Sequence, residues 1–353
     1  MSMDYYDFFS GCGGTSRGMQ DAGLTVRLGI DWDKDAEATY KTNFKTANFV
    51  RADIRKLKVK DLSTLIKRRY NRPLLFGACA PCQPFSKQNR TADGDDPRRN
   101  LLGEFHRFVR AYEPEYLFIE NVPGLQAIKD SEGPFSDFLR LLKKLNYWHA
   151  YKVVMAYHYG VPQSRRRLVL IASKLGPIEF PPPTTGPGSK KPKLPTVWEA
   201  ISHLPRIKAG QTHAKIPNHR AANLSDTNLR RIAATPRGGG RVDWPKKLTL
   251  NCHQGFSGHT DVYGRLPKNL PASALTTRCI SLSNGRFGHP TQNRAISIRE
   301  AACLQTFPMN FKFHGNLNSM AGQIGNAVPV EMARIFGEAI HKHYKQHKLK
   351  KAR

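Results

Sequence analysis

The sequence predicts an α/β protein: an open sheet over its first half, then a smaller, loop-rich domain, then helices that return to the sheet. Short β-rich runs recur at 5–9, 26–30, 74–77, 116–119, 151–156 and 168–172 between segments of mixed helical character, the rhythm of an open α/β sheet. At 180–193 the composition turns to Pro, Gly, Ser, Thr and Lys, and the five prolines there (Pro181, Pro182, Pro183, Pro187 and Pro192) suit neither a helix nor a central strand. Residues 177–297 carry 18 Lys and Arg against 5 Asp and Glu and show little helical periodicity. These observations divide the chain into 1–176, 177–297 and 298–353.

The first run opens Asp7-Phe8-Phe9-Ser10-Gly11-Cys12-Gly13-Gly14 and leads into a helical stretch at 15–22. Glycines let backbone approach a ligand, and a helix N-terminus offers unpaired N–H groups with positive partial charge, although many such turns are only structural. The second run delivers Asp31 about 20 residues on, where an acidic residue meets a ribose hydroxyl pair. Trp32 beside it suits an adenine ring or a core equally well. Asp53, after a third candidate run, reads as an acceptor for an adenine amino group or as a turn aspartate.

The run at 74–77 enters Cys79-Ala80-Pro81-Cys82-Gln83-Pro84-Phe85-Ser86, a loop that two prolines stiffen, which suits a nucleophile held in one place. A redox pair, half a zinc site and two buried structural thiols compete with that reading, but no second C-x-x-C or paired His follows. The run at 116–119 ends in Glu120-Asn121-Val122-Pro123, an acid at the carboxyl edge of the sheet, where ligands bind in open α/β folds. Gln163-Ser164-Arg165-Arg166-Arg167 precedes the last run. A thiol, an acid and an arginine cluster at three strand edges form a constellation. Helical periodicity resumes at 297–305 and at 328–343, where Val328, Val330, Met332, Ile335, Phe336 and Ile340 make an apolar stripe, and a basic tail follows.

With 56 Lys and Arg against 27 Asp and Glu, the chain has a formal net charge of +29, an excess that points to a polyanionic partner. No run approaches the roughly 18 apolar residues of a membrane span, and the N-terminus lacks a secretory pattern. Six sparse cysteines are expected to be reduced thiols in a soluble, cytoplasmic chain.

Taken in order, Phe9-Ser10-Gly11-Cys12-Gly13-Gly14, Pro81-Cys82-Gln83, Glu120-Asn121-Val122, Gln163-Ser164-Arg165-Arg166-Arg167, the stretch from Arg299 to Pro308, and Gly325-Asn326-Ala327-Val328 resemble the ordered motifs of the DNA cytosine-C5 methyltransferases. The resemblance spans essentially the whole chain. It implies a Rossmann-like class I S-adenosylmethionine-dependent methyltransferase sheet with a target-recognition domain at 177–297.

It also implies roles. Cys82 adds to cytosine C6, Glu120 hydrogen-bonds the ring N3 and exocyclic amine, and Arg165 orients a base flipped out of double-stranded DNA. Phe9, Ser10, Gly11, Gly13, Asp31, Trp32, Asp53, Ile54, Pro81, Leu101, Asn326 and Val328 are the implied contacts to S-adenosylmethionine, and no metal is required. Gln83, Ser86, Arg167, Arg237, Arg241, Arg278 and Arg286 are the candidate DNA contacts, by base edge or phosphate. The expected setting is a monomer at the bacterial nucleoid, a modification enzyme with a cognate restriction endonuclease as candidate companion.

Three departures stand out: Asp31 where the family more often has Glu, Ala274-Leu275 where Thr-Leu is common, and Cys303 where Arg is common. An RNA methyltransferase of the same fold, a catalytically silent DNA-binding regulator and a Cys79/Cys82 redox protein are the competing readings.

Overall fold

The computed structural model describes residues 2–80, 101–123, 133–253 and 261–351. In chain order the elements are β1 (Asp4–Phe8), α1 (Gly14–Asp21), β2 (Thr25–Asp31), α2 (Lys34–Asn43), β3 (Asn48–Arg51), β4 (Leu74–Ala78), α3 (Leu101–Tyr112), β5 (Tyr116–Asn121), α4 (Pro134–Lys144), β6 (Trp148–Met155), β7 (Gln163–Ser164), β8 (Arg166–Ser173), α5 (Val197–Ile201), α6 (Asp226–Ala234), β9 (Ala272–Ser273), α7 (Ile298–Leu304), α8 (Leu317–Asn326) and α9 (Val330–Lys351). They form two compact units. The first holds Met1–Met155, Arg166–Pro182 and Val328–Arg353; the second holds Ala156–Arg165 and Pro183–Ala327.

Among the described residues, the first unit contains one seven-stranded sheet in the order β3-β2-β1-β4-β5-β8-β6. β1 to β5 run parallel, and β8 lies antiparallel between β5 and β6. Burial accounts for this order. β1, β4 and β5 are buried at every position, as strands covered on both faces must be, whereas β3 and β6 at the edges are partly or largely exposed. The strand expected at 151–156 begins earlier, at Trp148, because its ladder with β8 runs from Trp148↔Ser173 to Met155↔Arg166.

Alternate side chains of β1 point to opposite faces. On one face the Phe8 ring lies 5.1, 5.0 and 5.2 Å from those of Phe76, Phe105 and Phe108. α3 supplies the last two and meets α4 through Phe105 and Phe138, 6.1 Å apart. On the other face Tyr5 lies over Gly77, where a Cβ would stand 2.0 Å from its hydroxyl. α1 and α9 pack together at Gly18, where a Cβ would stand 2.4 Å from the Val330 carbonyl oxygen, and Phe336 of α9 reaches Phe118 of β5 at 5.8 Å.

At the amino end of β1, the fully buried Asp4 accepts from Arg27 (3.0 Å), Arg69 (2.8 Å) and Arg72 (2.9 and 2.5 Å). Burial alone would raise its carboxyl, but the hydrogen bonds from Arg72, Arg27 and Arg69 outweigh that and hold it below its ordinary value of 3.8.

The second unit is mostly irregular, with short helices and a two-strand parallel pair, β7 with β9. Irregular backbone leaves carbonyls that no ladder satisfies, and buried arginines supply the donors. Arg265 donates to the carbonyls of Thr235, Ile232, His289 and Gln292 and to Asn293 Oδ1. Arg294 forks onto Glu300, both bonds 2.7 Å, and Arg299 donates to the carbonyls of Pro217 (2.9 Å) and Phe311 (2.6 Å).

These bonds move the domain boundary. The sequence places the return to the sheet at 298; in the structure it comes at Val328, and α7 and α8 stay in the second unit, anchored by Arg299 and Glu300. Residues 156–165 join that unit through Gln163, which donates to Leu304 O and Gln305 Oε1 and accepts from Leu275 N. No helix among the described residues is long and apolar enough to cross a membrane.

Two glycines of α8 provide a paired test. A Cβ at Gly325 would stand 2.1 Å from the Thr276 carbonyl oxygen, whereas one at Gly322 would meet nothing within 4 Å. Gly325→Ala is expected to cost roughly 1–3 kcal/mol through backbone displacement, and Gly322→Ala to be neutral or to gain up to about 1 kcal/mol, as read by denaturant unfolding. Asp4→Asn is expected to lose roughly 1.5–3 kcal/mol at pH 7. The folded Asp4 carboxyl titrates below its unfolded value, so its contribution is present above the ordinary value of 3.8 and is lost as pH falls through the folded value. The gap between wild type and variant is therefore expected to close in acid.

Candidate active site

The sheet order reverses between β1 and β4, and the loops that leave the carboxyl ends of β1, β2, β4 and β5 gather there, as at a switch point. β8 runs the other way, so its first residues, Arg166 and Arg167, arrive at the same edge.

The loop after β1 is wound through positive φ at Phe9 (59°), Gly11 (50°) and Gly13 (95°). Gly13 admits no side chain, because a Cβ would stand 2.4 Å from the Phe44 ring. A Cβ at Gly11 would meet nothing within 4 Å among the described residues. Asp31, at the end of β2, fixes the loop: Gly11 N donates to its Oδ2 (2.8 Å) and Asp33 N to its Oδ1 (3.1 Å). Burial raises the Asp31 carboxyl in spite of those bonds. Trp32 is 76% exposed, and the buried Ser10 hydroxyl has no hydrogen-bond partner among the described residues.

These residues fit the methyl donor that the resemblance implies. They combine an open backbone edge, an unused buried hydroxyl, a carboxylate with lone pairs to spare and an exposed indole. Other implied contacts differ. The Asp53 carboxylate is already taken by Arg55 (2.9, 3.0 and 2.5 Å), whose hydrogen bonds hold it below its ordinary value, so an adenine amino group would have to share it. Ile54 is buried in the hydrophobic core, against which Leu101 at the start of α3 also packs. Val328 is buried in the first unit, while Asn326 is exposed at the end of α8 in the second.

β4 ends at Ala78, beside Ile119 of β5. Cys79 follows, its backbone N–H donating to Phe8 O (3.4 Å) and its sulfur 3.5 Å from Thr15 Oγ1. Burial first, then the charge of Glu120, pushes this thiol well above its ordinary value, which makes it a poor nucleophile at neutral pH. Pro81, Cys82, Gln83 and Ser86 lie outside the described residues. Their lead-in is fixed all the same: Asn121 Nδ2 donates to the carbonyl of Ala80 at 3.2 Å. Glu120 is buried, with Arg167 Nε 2.8 Å from its Oε1, an ion pair without the alignment of a hydrogen bond.

The remaining arginines divide. Arg165, in the second unit, is buried and donates to the carbonyls of Leu275 (3.0 Å) and Ala327 (3.3 Å), so its guanidinium braces backbone. Arg241 is buried, and Arg286 bridges Asp261 and the carbonyls of Gly238 and Gly239. Arg237 and Arg278 are exposed. The sequence reading missed Asn121 as the tie between two loops and Gln163 with Gln305 as a bracing pair; each stood inside a motif with nothing in the pattern to say what its amide would hold. Among the described residues, no group of three or more His, Cys, Asp or Glu is placed to hold a metal ion.

Comparison with known proteins gives the family. Residues 3–342 match the family model for C-5 cytosine-specific DNA methylases. The type II methylase M.HgiDII of Herpetosiphon aurantiacus is 39% identical over 95% of this chain and 94% of its own. The type II methyltransferase M1.HphI of Haemophilus parahaemolyticus is 34% identical over 97% and 87%. The fold is shared with the Entamoeba histolytica methyltransferase EhMeth, 16% identical, with a TM-score of 0.65 over 97% of this chain and 99% of that one. The chain therefore belongs to the C-5 cytosine-specific DNA methylases and is a DNA (cytosine-5)-methyltransferase.

Proposed function

We propose that Cys82 is the nucleophile of this enzyme, that Glu120 stabilises the attacked cytosine, and that the protein is the modification enzyme of a restriction-modification system. The observation that carries the catalytic assignment is the Asn121–Ala80 hydrogen bond. It fixes the start of the segment bearing Cys82 beside the strand end that presents Glu120.

The Cys82 thiolate adds to C6 of a cytosine rotated out of the duplex, at a cost of a few kcal/mol in pairing and stacking. Glu120 holds N3 and the exocyclic amine as charge develops on the ring, and Arg167 holds the Glu120 carboxylate in place. S-adenosylmethionine, the donor the family uses, would supply the methyl group to C5 and leave as S-adenosylhomocysteine. Loss of the C5 proton then expels Cys82 and restores the ring. Phe9, Ser10, Gly11, Gly13, Asp31 and Trp32 would hold the donor.

The second unit supplies sequence selectivity, with the exposed Arg237 and Arg278 as its candidate base contacts. Type II relatives over nearly the full chain support the modification role and a companion endonuclease.

Cys82→Ser is expected to bring methyl transfer to unmethylated bacterial DNA to background while DNA binding persists, and undiminished turnover would defeat the covalent route. Glu120→Gln is expected to slow transfer roughly 10²–10⁴-fold, measured with labelled S-adenosylmethionine. Arg278→Ala is expected to broaden the set of modified sites, a change that mapping of the methylated cytosines would register.

A further inference from the structure

A second charged surface lies at the opposite edge of the sheet. Between Leu62 and β4 the chain reads Lys67-Arg68-Arg69-Tyr70-Asn71-Arg72, and residues 67–71 are exposed. Arg72 N donates to Arg69 O (3.1 Å), closing a tight turn in which Asn71 adopts a φ of 56° and Tyr70 is 93% exposed. The turn is braced from both sides. Arg69 and Arg72 sit on the buried Asp4, while Tyr344 Oη and Lys348 Nζ of α9 donate to Asn71 O (3.2 Å) and Oδ1 (2.5 Å).

Three arginines share the single Asp4 carboxylate, and Arg68 has Glu115 (2.5 Å). The exposed Lys67 and Lys345 add to the excess. Asp4 and Leu74 are the first residues of β1 and β4, so this patch stands at the amino ends of strands whose carboxyl ends lead to the catalytic loops. Five-residue β1 alone separates the two edges by about 13 Å. The basic turns of α9 after His341 and Lys342 also lie beyond the residues that match the family model.

We propose that the Lys67–Arg72 turn and the end of α9 form a second, sequence-independent DNA-binding face, which holds another duplex segment while the carboxyl edge holds the one being methylated. Lys67, Lys345 and Lys348 contact phosphates as point charges, and the Tyr70 hydroxyl donates to a phosphate oxygen. The fixed turn presents these groups with little ordering cost. The proposal rests on duplex DNA as the substrate, and the expected consequence is transfer of the enzyme between DNA segments without full release.

The test uses the full chain and two 20-base-pair duplexes of random sequence, one with a donor and one with an acceptor fluorophore. At low ionic strength the wild type is expected to give energy transfer from particles that sediment as one protein with two duplexes. Lys67→Ser/Tyr70→Ala/Lys345→Ser is expected to abolish transfer, to reduce the log–log salt slope of binding by about 2, from two lost phosphate contacts at roughly 0.9 each, and to methylate bacterial DNA at the wild-type rate. No transfer with the wild type, undiminished transfer with the variant, or transfer only from particles with two proteins would overturn the proposal. So would tighter binding of phosphatidylserine vesicles than of duplex. A variant that loses methylation and transfer together would place the patch on the catalytic DNA path and also overturn it, whereas a failed catalytic assignment would show only in Cys82→Ser.

Discussion

The parallel pairing of β4 with β5 is the constraint from which the catalytic edge follows. Both strands are buried at every position, and β4 cannot slip by a residue without putting a side chain where Gly77 stands, since a Cβ there would lie 2.0 Å from the Tyr5 hydroxyl. The register places Ala78 against Ile119, and Asn121 extends the contact one step past the sheet by donating to Ala80. Two loops that carry different chemistry are thereby started side by side. The Asn121 side chain thus ties the end of β5 to the backbone that leaves β4, which is why a polar residue between Glu120 and Val122 matters there.

The charge of the chain serves two purposes that composition does not separate. Part of the excess lies inside the second unit, where Arg265, Arg294 and Arg299 are buried and bound to carbonyls or to Glu300. The second unit has its own buried apolar residues, Phe307, Phe311 and Phe313 among them, and multidentate guanidinium donors add order to the irregular backbone around them. The net charge of +29 therefore overstates the surface available to phosphates, although Arg237 and Arg278 remain at the surface.

The sheet was largely legible because buried parallel strands are runs of apolar residues, and 74–77 and 116–119 differ from β4 and β5 by one or two residues at the carboxyl end. The glycine turn was legible for a related reason: Gly13 stands at a φ of 95° against Phe44, a place for no other residue. The edge strand β6 was harder, since half-exposed Trp148 and Tyr151 carry no alternation, and its start came from pairing rather than from pattern. The boundary at Val328 was not readable at all. It depends on Arg299 and Glu300 reaching residues up to 82 positions away, and periodicity in α7 says nothing of what its arginine holds. For the same reason Arg165 was expected to orient the base, and Arg241 and Arg286 to contact DNA, whereas the fold engages or buries each of them.

The most direct measurement of the central claim is to trap the enzyme on duplex DNA whose cytosines carry fluorine at C5, where no proton can leave and the sulfur bond to C6 persists. Digestion and mass spectrometry then locate the linked residue. The account predicts a stable adduct on Cys82, formed only with S-adenosylmethionine present and strongly slowed in Glu120→Gln. An adduct on Cys79, or methyl transfer to normal DNA by an enzyme that forms no adduct at all, would contradict it.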